Sequence, residues 1–479
     1  MGEKLTLITN TSYVVGCEHD SHFLLKNGQV AFRGNEIVFV GRDFEGKPDD
    51  VIDAQGGFVI PGLLNLHCHV AASPVEKGFL EDCGSPCMYM TGLYEYLRVT
   101  HLAVEDQMKV FNFSLADIMT RGSTTIFELG LASSEMVETI GRSGIRAYIG
   151  PLARSGVFMT KDGFKPHYEW DEPNAFRRLE ETLRRKEAYD GAFNDRIRIA
   201  LYPGQVDTCT EDYLDEVGRV AAAYPDMRVA IHAAQTINEY NLIVQKYGMT
   251  PAHFLDRHGI SGPQVMLGHY LFPCGSAMNP LKLKGELELL AATKTNVVHC
   301  PWSFGRRGMI LESFQSYIDQ GINVCLGTDT FTQDMINEMR YAAVFCKIAE
   351  GADPFSGTAA AVFNAATIGG AKALGRDDLG RIQPGCKADL VLIDTNNLNC
   401  RPLRDPIKVL VYSASSCNIS RVIVDGQTLV EDGMVLGMDH EKLCADMQLA
   451  GEHMWADVKN RDWAGRTADE ISPMSYPVR

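Results

Sequence analysis

Five histidines and one aspartate stand at the C-terminal ends of short apolar runs, in the order His67, His69, His232, His269, His299 and Asp329. His67 and His69 are two residues apart, so on a strand both side chains point to the same face. Two imidazoles so placed can share one metal ion, and His232 and Asp329 at other strand ends can complete a mononuclear site with a position open for water. A lone histidine at a strand end is more often packed or hydrogen-bonded than a ligand. The joint placement of five of the thirteen histidines is what points to chemistry. That chemistry is metal-dependent hydrolysis: the metal lowers the pKa of its water, and Asp329 can accept a proton and carry it to a leaving group.

The elements that must position these side chains are parallel strands. From residue 58 onward, apolar runs alternate with helical periodicity, which argues for strand-helix units. Eight runs qualify: 58–67, 124–130, 145–151, 196–204, 228–234, 265–271, 296–302 and 323–329. Eight is the number that closes a TIM-type barrel, whose catalytic groups sit at the C-terminal strand ends. Val104, Met108, Phe111, Leu115 and Ile118 recur at helical spacing, and the charged stretch 174–189 reads as a solvated outer helix. The excursion 70–103 holds Met88, Tyr89, Met90, Tyr94 and Tyr96 without a clear period. Overhanging the mouth, it would be a lid or a substrate wall.

The chain ends read differently. Residues 1–58 alternate short apolar runs with turn signals, and Asn27-Gly28 and Gly34-Asn35 predict hairpins. GRDFEGK at 41–47 begins like a phosphate-binding loop, but Pro48 takes the place of the required hydroxyl residue, so it reads as a turn. Short strands return in 380–436, after a helical stretch at 356–374. The expected architecture is an α/β chain: a (β/α)8 barrel over 59–379, a small flanking β-sandwich from 1–58 plus 380–436, and a C-terminal helix and tail over 437–479.

At 479 residues and 45% hydrophobic composition the chain can bury a large core. A net charge of -16 argues against nucleic acid and against an anionic membrane surface, and favours a neutral or cationic small molecule. No secretory signal and no apolar run of about 18 residues is legible. Gly2 and Thr6 match a myristoylation pattern, but Leu5, Leu7 and Ile8 read as a first strand instead. Thirteen cysteines without spaced pairs fit free thiols in a reducing cytoplasm, and Cys83 with Cys87 reads as a loop.

The stretches 61–69, 229–236, 265–270, 297–303 and 324–330, together with DMINEMR at 334–340 and LGRIQPGCKADLVLID, resemble the amidohydrolase superfamily. Within it the chain is most similar to the triazine hydrolase, chlorohydrolase and aminohydrolase branch, which includes cytosine deaminase-like enzymes. The resemblance implies that His67, His69, His232 and Asp329 bind one divalent ion. Zinc is expected, with iron, cobalt or manganese as other ions the set could take. It implies that His269 hydrogen-bonds the metal-bound hydroxide, that His299 faces the substrate, and that the enzyme is a homo-oligomer. No lysine ends the fourth run, so the carbamylated lysine of two-metal relatives has no source here.

Two departures bear on the substrate. Relatives that deaminate rings read His-x-x-Glu after the fifth strand, where the acid protonates a ring nitrogen; here the residue is Gln235, which can orient a ring nitrogen or carbonyl but cannot donate as an acid. Gly204 stands where relatives often carry a histidine, so a contact made there is absent or replaced. Trp302, in a stretch with Phe304, Arg306, Arg307 and Phe331, either packs in a loop or enters the mouth to favour a flat ligand. The expected reaction is hydrolysis of a carbon-nitrogen or carbon-halide bond of a small neutral nitrogen heteroaromatic compound. Cleavage of an amide, urea or (thio)carbamate is the alternative, and a non-catalytic scaffold on the same fold is a distant one.

Overall fold

The computed structural model describes all residues except 1–2, 72, 86, 89, 131–132 and 312–313, so Gly2 and Tyr89 lie outside the described residues. Each of the eight runs contains a strand. Leu63–Cys68 (β1), Ser123–Leu129 (β2), Arg146–Gly150 (β3) and Ile197–Ile199 (β4) form one parallel sheet in the order β4-β3-β2-β1. Val229–Ala233 (β5), Val265–His269 (β6), Asn296–His299 (β7) and Val324–Leu326 (β8) form a second, in the order β5-β6-β7-β8. Parallel bridges link the two sheets at both ends, Leu201 with Val229 and Cys68 with Asp329.

Burial explains why these strands read as unbroken apolar runs. Every residue of β1, β2, β5, β6 and β7 is buried, as expected when both faces of a parallel sheet are covered. One face packs in a cluster drawing on all eight strands or their ends, including Leu64, Phe127, Tyr148, Ala200, Ala230, Met266, Val298 and Cys325. The other face packs against helices in the main core, through residues such as Ile126, Ile149 and Leu267.

The run at 58–67 is divided. Phe58–Pro61 pairs with Leu390–Ile393 and belongs to a seven-stranded sheet, while β1 starts only after Gly62. That sheet also contains Tyr13–Glu18, Ser21–Lys26, Ile419–Val424, Gln427–Glu431 and Met434–Val435, so it is built from both chain ends. A four-stranded sheet of Leu5–Thr9, Gln29–Arg33, Glu36–Gly41 and Asp50–Asp53 packs with it through Ile8, Val14, Val30, Phe32, Leu390 and Ile423. Gly34-Asn35 does turn a hairpin, between Gln29–Arg33 and Glu36–Gly41. Asn27-Gly28 does not: Asn27 has φ 51°, as a tight turn needs, but the chain there crosses from the seven-stranded sheet to the four-stranded one.

The excursion after β1 is partly helical. It contains a 3-10 turn at Ser73–Glu76 and the helix Thr91–Val99 (α1), which leads into Val104–Thr120 (α2). A hairpin of Gly156–Thr160 and Pro166–Trp170, absent from the sequence reading, follows β3. The expected stretch at 356–374 is two helices, Ala359–Ala366 and Ile368–Ala373, interrupted at Thr367. The last long helix, His440–Arg461, lies on α2, where His453 Nδ1 meets Asp106 Oδ2 at 2.7 Å. Beyond it, Trp463 Nε1 and Arg466 donate to Glu95 Oε1 of α1 at 2.9 and 3.1 Å. Among the described residues no helix is long and apolar enough to cross a membrane.

Candidate active site

The strand ends bring His67, His69, His232 and Asp329 together, with one donor atom from each lying within 4.8 Å of the others. Asp329 Oδ1 is 3.2 Å from His69 Nε2 and 3.6 Å from His67 Nε2. Outer partners fix the rings: His69 Nδ1 meets Leu129 O at 2.8 Å and His232 Nδ1 meets Gly204 O at 3.0 Å, leaving both Nε2 atoms for the centre. Ser303 Oγ donates to Asp329 Oδ2 at 2.7 Å, and the Tyr202 hydroxyl lies 3.4 Å from His232 Nδ1.

The backbone is shaped to allow this. Asp329 lies beyond β8, is held by its N–H to His67 O at 2.8 Å, and has φ 57°. His269 at the end of β6 has φ 77°. Left-handed conformations in non-glycine residues cost on the order of 1–3 kcal/mol and cluster at functional sites. Gly327 permits the close approach of β8 to β1, since a Cβ there would lie 2.6 Å from His67 Cβ and 2.8 Å from its backbone nitrogen.

The donor set fits a divalent transition metal. Three imidazoles and a carboxylate converge, and His67 Nε2 is buried with no hydrogen-bond partner among the described residues. Burial opposes ionisation of Asp329, but the neighbouring His67 and His69 imidazoles hold its carboxyl well below the usual range. Burial works against a charge on His69 as well, yet Asp329 raises it to about 9. His232 is kept neutral by burial and by the neighbouring imidazoles, which is the form a metal ligand needs.

His269 packs on this cluster, its ring centroid 4.6 Å from that of His67 and 4.4 Å from Phe304. Both its ring nitrogens are buried without hydrogen-bond partners among the described residues, and burial holds it neutral. A cavity of about 300 Å³ opens beside the cluster, lined by His69, His232 and Asp329 on one side and Gln235, Gln205, Tyr202, Arg154, Glu76 and Arg307 elsewhere. Leu80, Gly92, Leu93, Tyr96 and Leu97 of the excursion wall it, and Phe158 of the hairpin joins them.

Gln235 therefore lines the cavity, on a turn pinned by Glu239. Glu239 Oε1 accepts from Ala234 N at 2.6 Å and Oε2 from Gln235 N at 2.9 Å, while Thr236 and Glu239 form the capping box of the following helix. His299 and Trp302 are not among the lining residues. His299 is buried near Phe314, with ring centroids 6.0 Å apart, and burial lowers it to about 3. Of the two alternatives for Trp302, the observed contact is the packed one: its ring stacks on Tyr341 with centroids 4.7 Å apart. A helix begins at Pro301, so Trp302 and Phe304 fall on nearly opposite sides, and of the two it is Phe304 that packs on His269.

Several groups escaped the sequence reading. Glu128 is a buried acid in β2 whose Oε2 accepts from Val70 N at 2.7 Å, and burial pushes it up to about 8. An acid inside an apolar run was the available signal. Glu76 is buried, with Oε2 unpartnered among the described residues, and burial raises it to about 7 against the pull of Arg307 and Arg306. Arg154 and Tyr202 carry no local signal.

The comparisons agree with this frame. The model of the amidohydrolase family matches residues 58–429, and the chain belongs to that family. It is an enzyme that hydrolyses carbon-nitrogen bonds other than peptide bonds. A 5'-deoxyadenosine deaminase of Methanosarcina acetivorans is 30% identical over 460 residues, covering 94% of this chain and 98% of the relative. Among solved structures, an adenosine deaminase from Xanthomonas campestris with bound zinc has a TM-score of 0.79 at 24% identity, covering 94% of this chain and 98% of that one. A triazine hydrolase from Arthrobacter aurescens has a TM-score of 0.78 at 23% identity, covering 94% and 100%. Both structures share the fold.

Proposed function

We propose that this enzyme hydrolyses the bond between a nitrogen heteroaromatic ring and an amino or alkylamino substituent, at one divalent metal ion held by His67, His69, His232 and Asp329. The observation that carries the proposal is the convergence of those four side chains beside a cavity that His69, His232 and Asp329 line. Zinc suits the donor set, and the bound metal would activate water for attack. We read the two linked parallel sheets as one closed (β/α)8 barrel over 59–379, with 1–58 and 380–436 as its flanking sandwich.

The chain's own residues then have distinct tasks. His269, neutral and without another partner among the described residues, accepts a hydrogen bond from the attacking water and orients it. Asp329 takes the proton released in the attack and returns it to the leaving nitrogen. Gln235 holds the ring edge through its amide, and the walls formed by α1 and the hairpin exclude bulk water. Ring deamination is favoured by the 5'-deoxyadenosine deaminase likeness over 94% of the chain.

Gln235 favours a second reading, cleavage of an amide, urea or carbamate, because an amide side chain suits a carbonyl and cannot protonate a ring. Steady-state rates on matched ring amines, haloheterocycles, ureas and carbamates test both. Fastest turnover of ring amines is expected. Turnover confined to ureas, amides or carbamates would replace the first reading with the second, and no turnover by the metal-loaded protein would remove both.

A further inference from the structure

The cavity beside the cluster holds an acid for which the reaction so far has no use. Apart from Asp329, Glu76 carries the one carboxyl group among its described lining residues. The residue is 9% exposed, and its Oε2 is buried with no hydrogen-bond partner among the described residues. The turn that carries it is fixed from behind. Val75 and Phe79 pack in one cluster with Ala450, Met454 and Val458 of the last long helix, and Phe79 N and Leu80 N each donate to Glu76 O at 3.1 Å.

A carboxyl withdrawn from water without a partner keeps its proton, because ionising it would leave an uncompensated charge. Burial pushes Glu76 up to about 7, while Arg307 and Arg306 pull it down, and Asp329 and His69, the other charged groups facing it, act in opposite directions. Arg306 is engaged by Glu81 Oε1 at 3.2 Å and Thr330 Oγ1 at 3.1 Å, and neither arginine forms an ion pair with Glu76 among the described residues. The other protic groups of the cavity are poorer proton donors. Burial pushes the phenols of Tyr96 and Tyr202 above their ordinary range, and the amides of Gln205 and Gln235 and the guanidinium groups of Arg154 and Arg307 release no proton near neutral pH.

We propose that Glu76 is the catalytic acid that protonates the ring nitrogen of the substrate, the task for which Gln235 has no proton. This rests on the ring-amine reading of the site. Water adds its oxygen to the ring carbon bearing the amino group and passes one proton to Asp329. The Glu76 carboxyl gives its proton to the adjacent ring nitrogen, which takes up the π pair of the C=N bond. The bond to the amino group then breaks, the departing nitrogen takes the proton from Asp329, and the hydroxyl proton left on the ring carbon returns to Glu76. Water is consumed, a ring carbonyl and an amine are formed, and both carboxyl groups end as they began.

Rates and the spectrum of a bound ligand test this separately. In the metal-loaded full-length enzyme, Glu76→Gln should keep its metal, lose about 10²–10⁴ in kcat/KM on ring amines, and lose the alkaline fall in kcat/KM that titration of the acid produces. Glu76→Asp should keep that fall at an intermediate rate, and adding Gln235→Glu to Glu76→Gln should recover about tenfold by returning an acid to the cavity. A Gln variant within about threefold of the native rate, an unchanged alkaline fall, or a double variant no faster than the single one would overturn the proposal. The second arm needs no turnover. 2-Aminopyridine, whose absorbance changes on ring protonation, is titrated into the metal-free protein at a pH where it is mainly neutral in bulk water. It should bind as the cation in the native protein and as the neutral base in Glu76→Gln. No binding, the neutral form in both, or the cation in both would overturn the role of Glu76. A native enzyme that binds the cation yet turns over no ring amine would instead remove the proposed reaction and leave the acid standing.

Discussion

The strand-end cluster and the cavity wall are neighbours built on opposite principles. The cluster is drawn from β1, β5 and the end of β8, buried in the main sheets, with second partners on the rings of His69 and His232. The wall comes from the excursion and the hairpin, whose main anchors are side chains: the Tyr94 hydroxyl lies 2.9 Å from Thr236 Oγ1, its ring is 5.1 Å from Phe158, and Glu95 is held from the C-terminal tail. Rigid strands hold the group that must keep its geometry to fractions of an ångström, and loops supply the part that varies with the ligand. Substitutions should divide accordingly, with framework changes acting on turnover and wall changes on substrate affinity.

The sharpest division is expected at His269. His269→Ala should retain its metal yet lose about 10²–10⁴ in kcat, because orienting the water matters mainly in the transition state. Metal analysis beside single-turnover rates checks this, and loss of the metal would make His269 a ligand instead. Gln235→Glu comes next. A second carboxylate near Asp329 raises the apparent pKa of the pair, so native turnover should fall while deamination of ring amines that resist the native enzyme rises. Unchanged rates on every substrate would mean that Gln235 does not govern the chemistry.

On the wall, Tyr94→Phe removes the bond to Thr236 that ties α1 to the turn bearing Gln235. A loss of about 1 kcal/mol, roughly a fivefold rise in KM with kcat little changed, is expected. An equal fall in kcat would place Tyr94 with the framework.

The legibility of the two regions in sequence differs for the same reason. Parallel strands covered on both faces are mostly apolar, so all eight runs and the histidines ending several of them stood out, and His67-x-His69 put two rings on one face. Side chains that meet only through tertiary packing left no such mark. Arg154 lies against Gly204 across 50 residues of sequence, and the hairpin at Gly156–Thr160 and Pro166–Trp170 has too little alternation to declare itself. The direction of Trp302 stayed open because a helix starting at Pro301 rotates successive side chains away from each other, and the period there could not be told from five residues. Asn27-Gly28 marked a turn correctly but not which sheet the chain would enter next.

A smaller effect separates the wall's acid from ordinary carboxylates. Burial raises Glu76 to about 7 and Glu128 to about 8, so the folded chain holds these protons more tightly than the unfolded one. Their contribution to stability is fully present below about pH 4.3, the unfolded carboxylate value, and is lost as pH rises through 7 to 8. Thermal unfolding of the metal-free protein should therefore shift downward across that window, and Glu76→Gln should flatten the part near pH 7. An identical slope in the variant would show that Glu76 is not the group responsible.

The central claim is that one metal ion sits among His67, His69, His232 and Asp329. Anomalous diffraction at the metal edge from crystals of the native protein tests it most directly. One peak per chain is expected, at about 2.0–2.2 Å from a donor atom of each of the four residues. Two peaks bridged by a shared ligand, or a single peak that omits His232, would contradict the account.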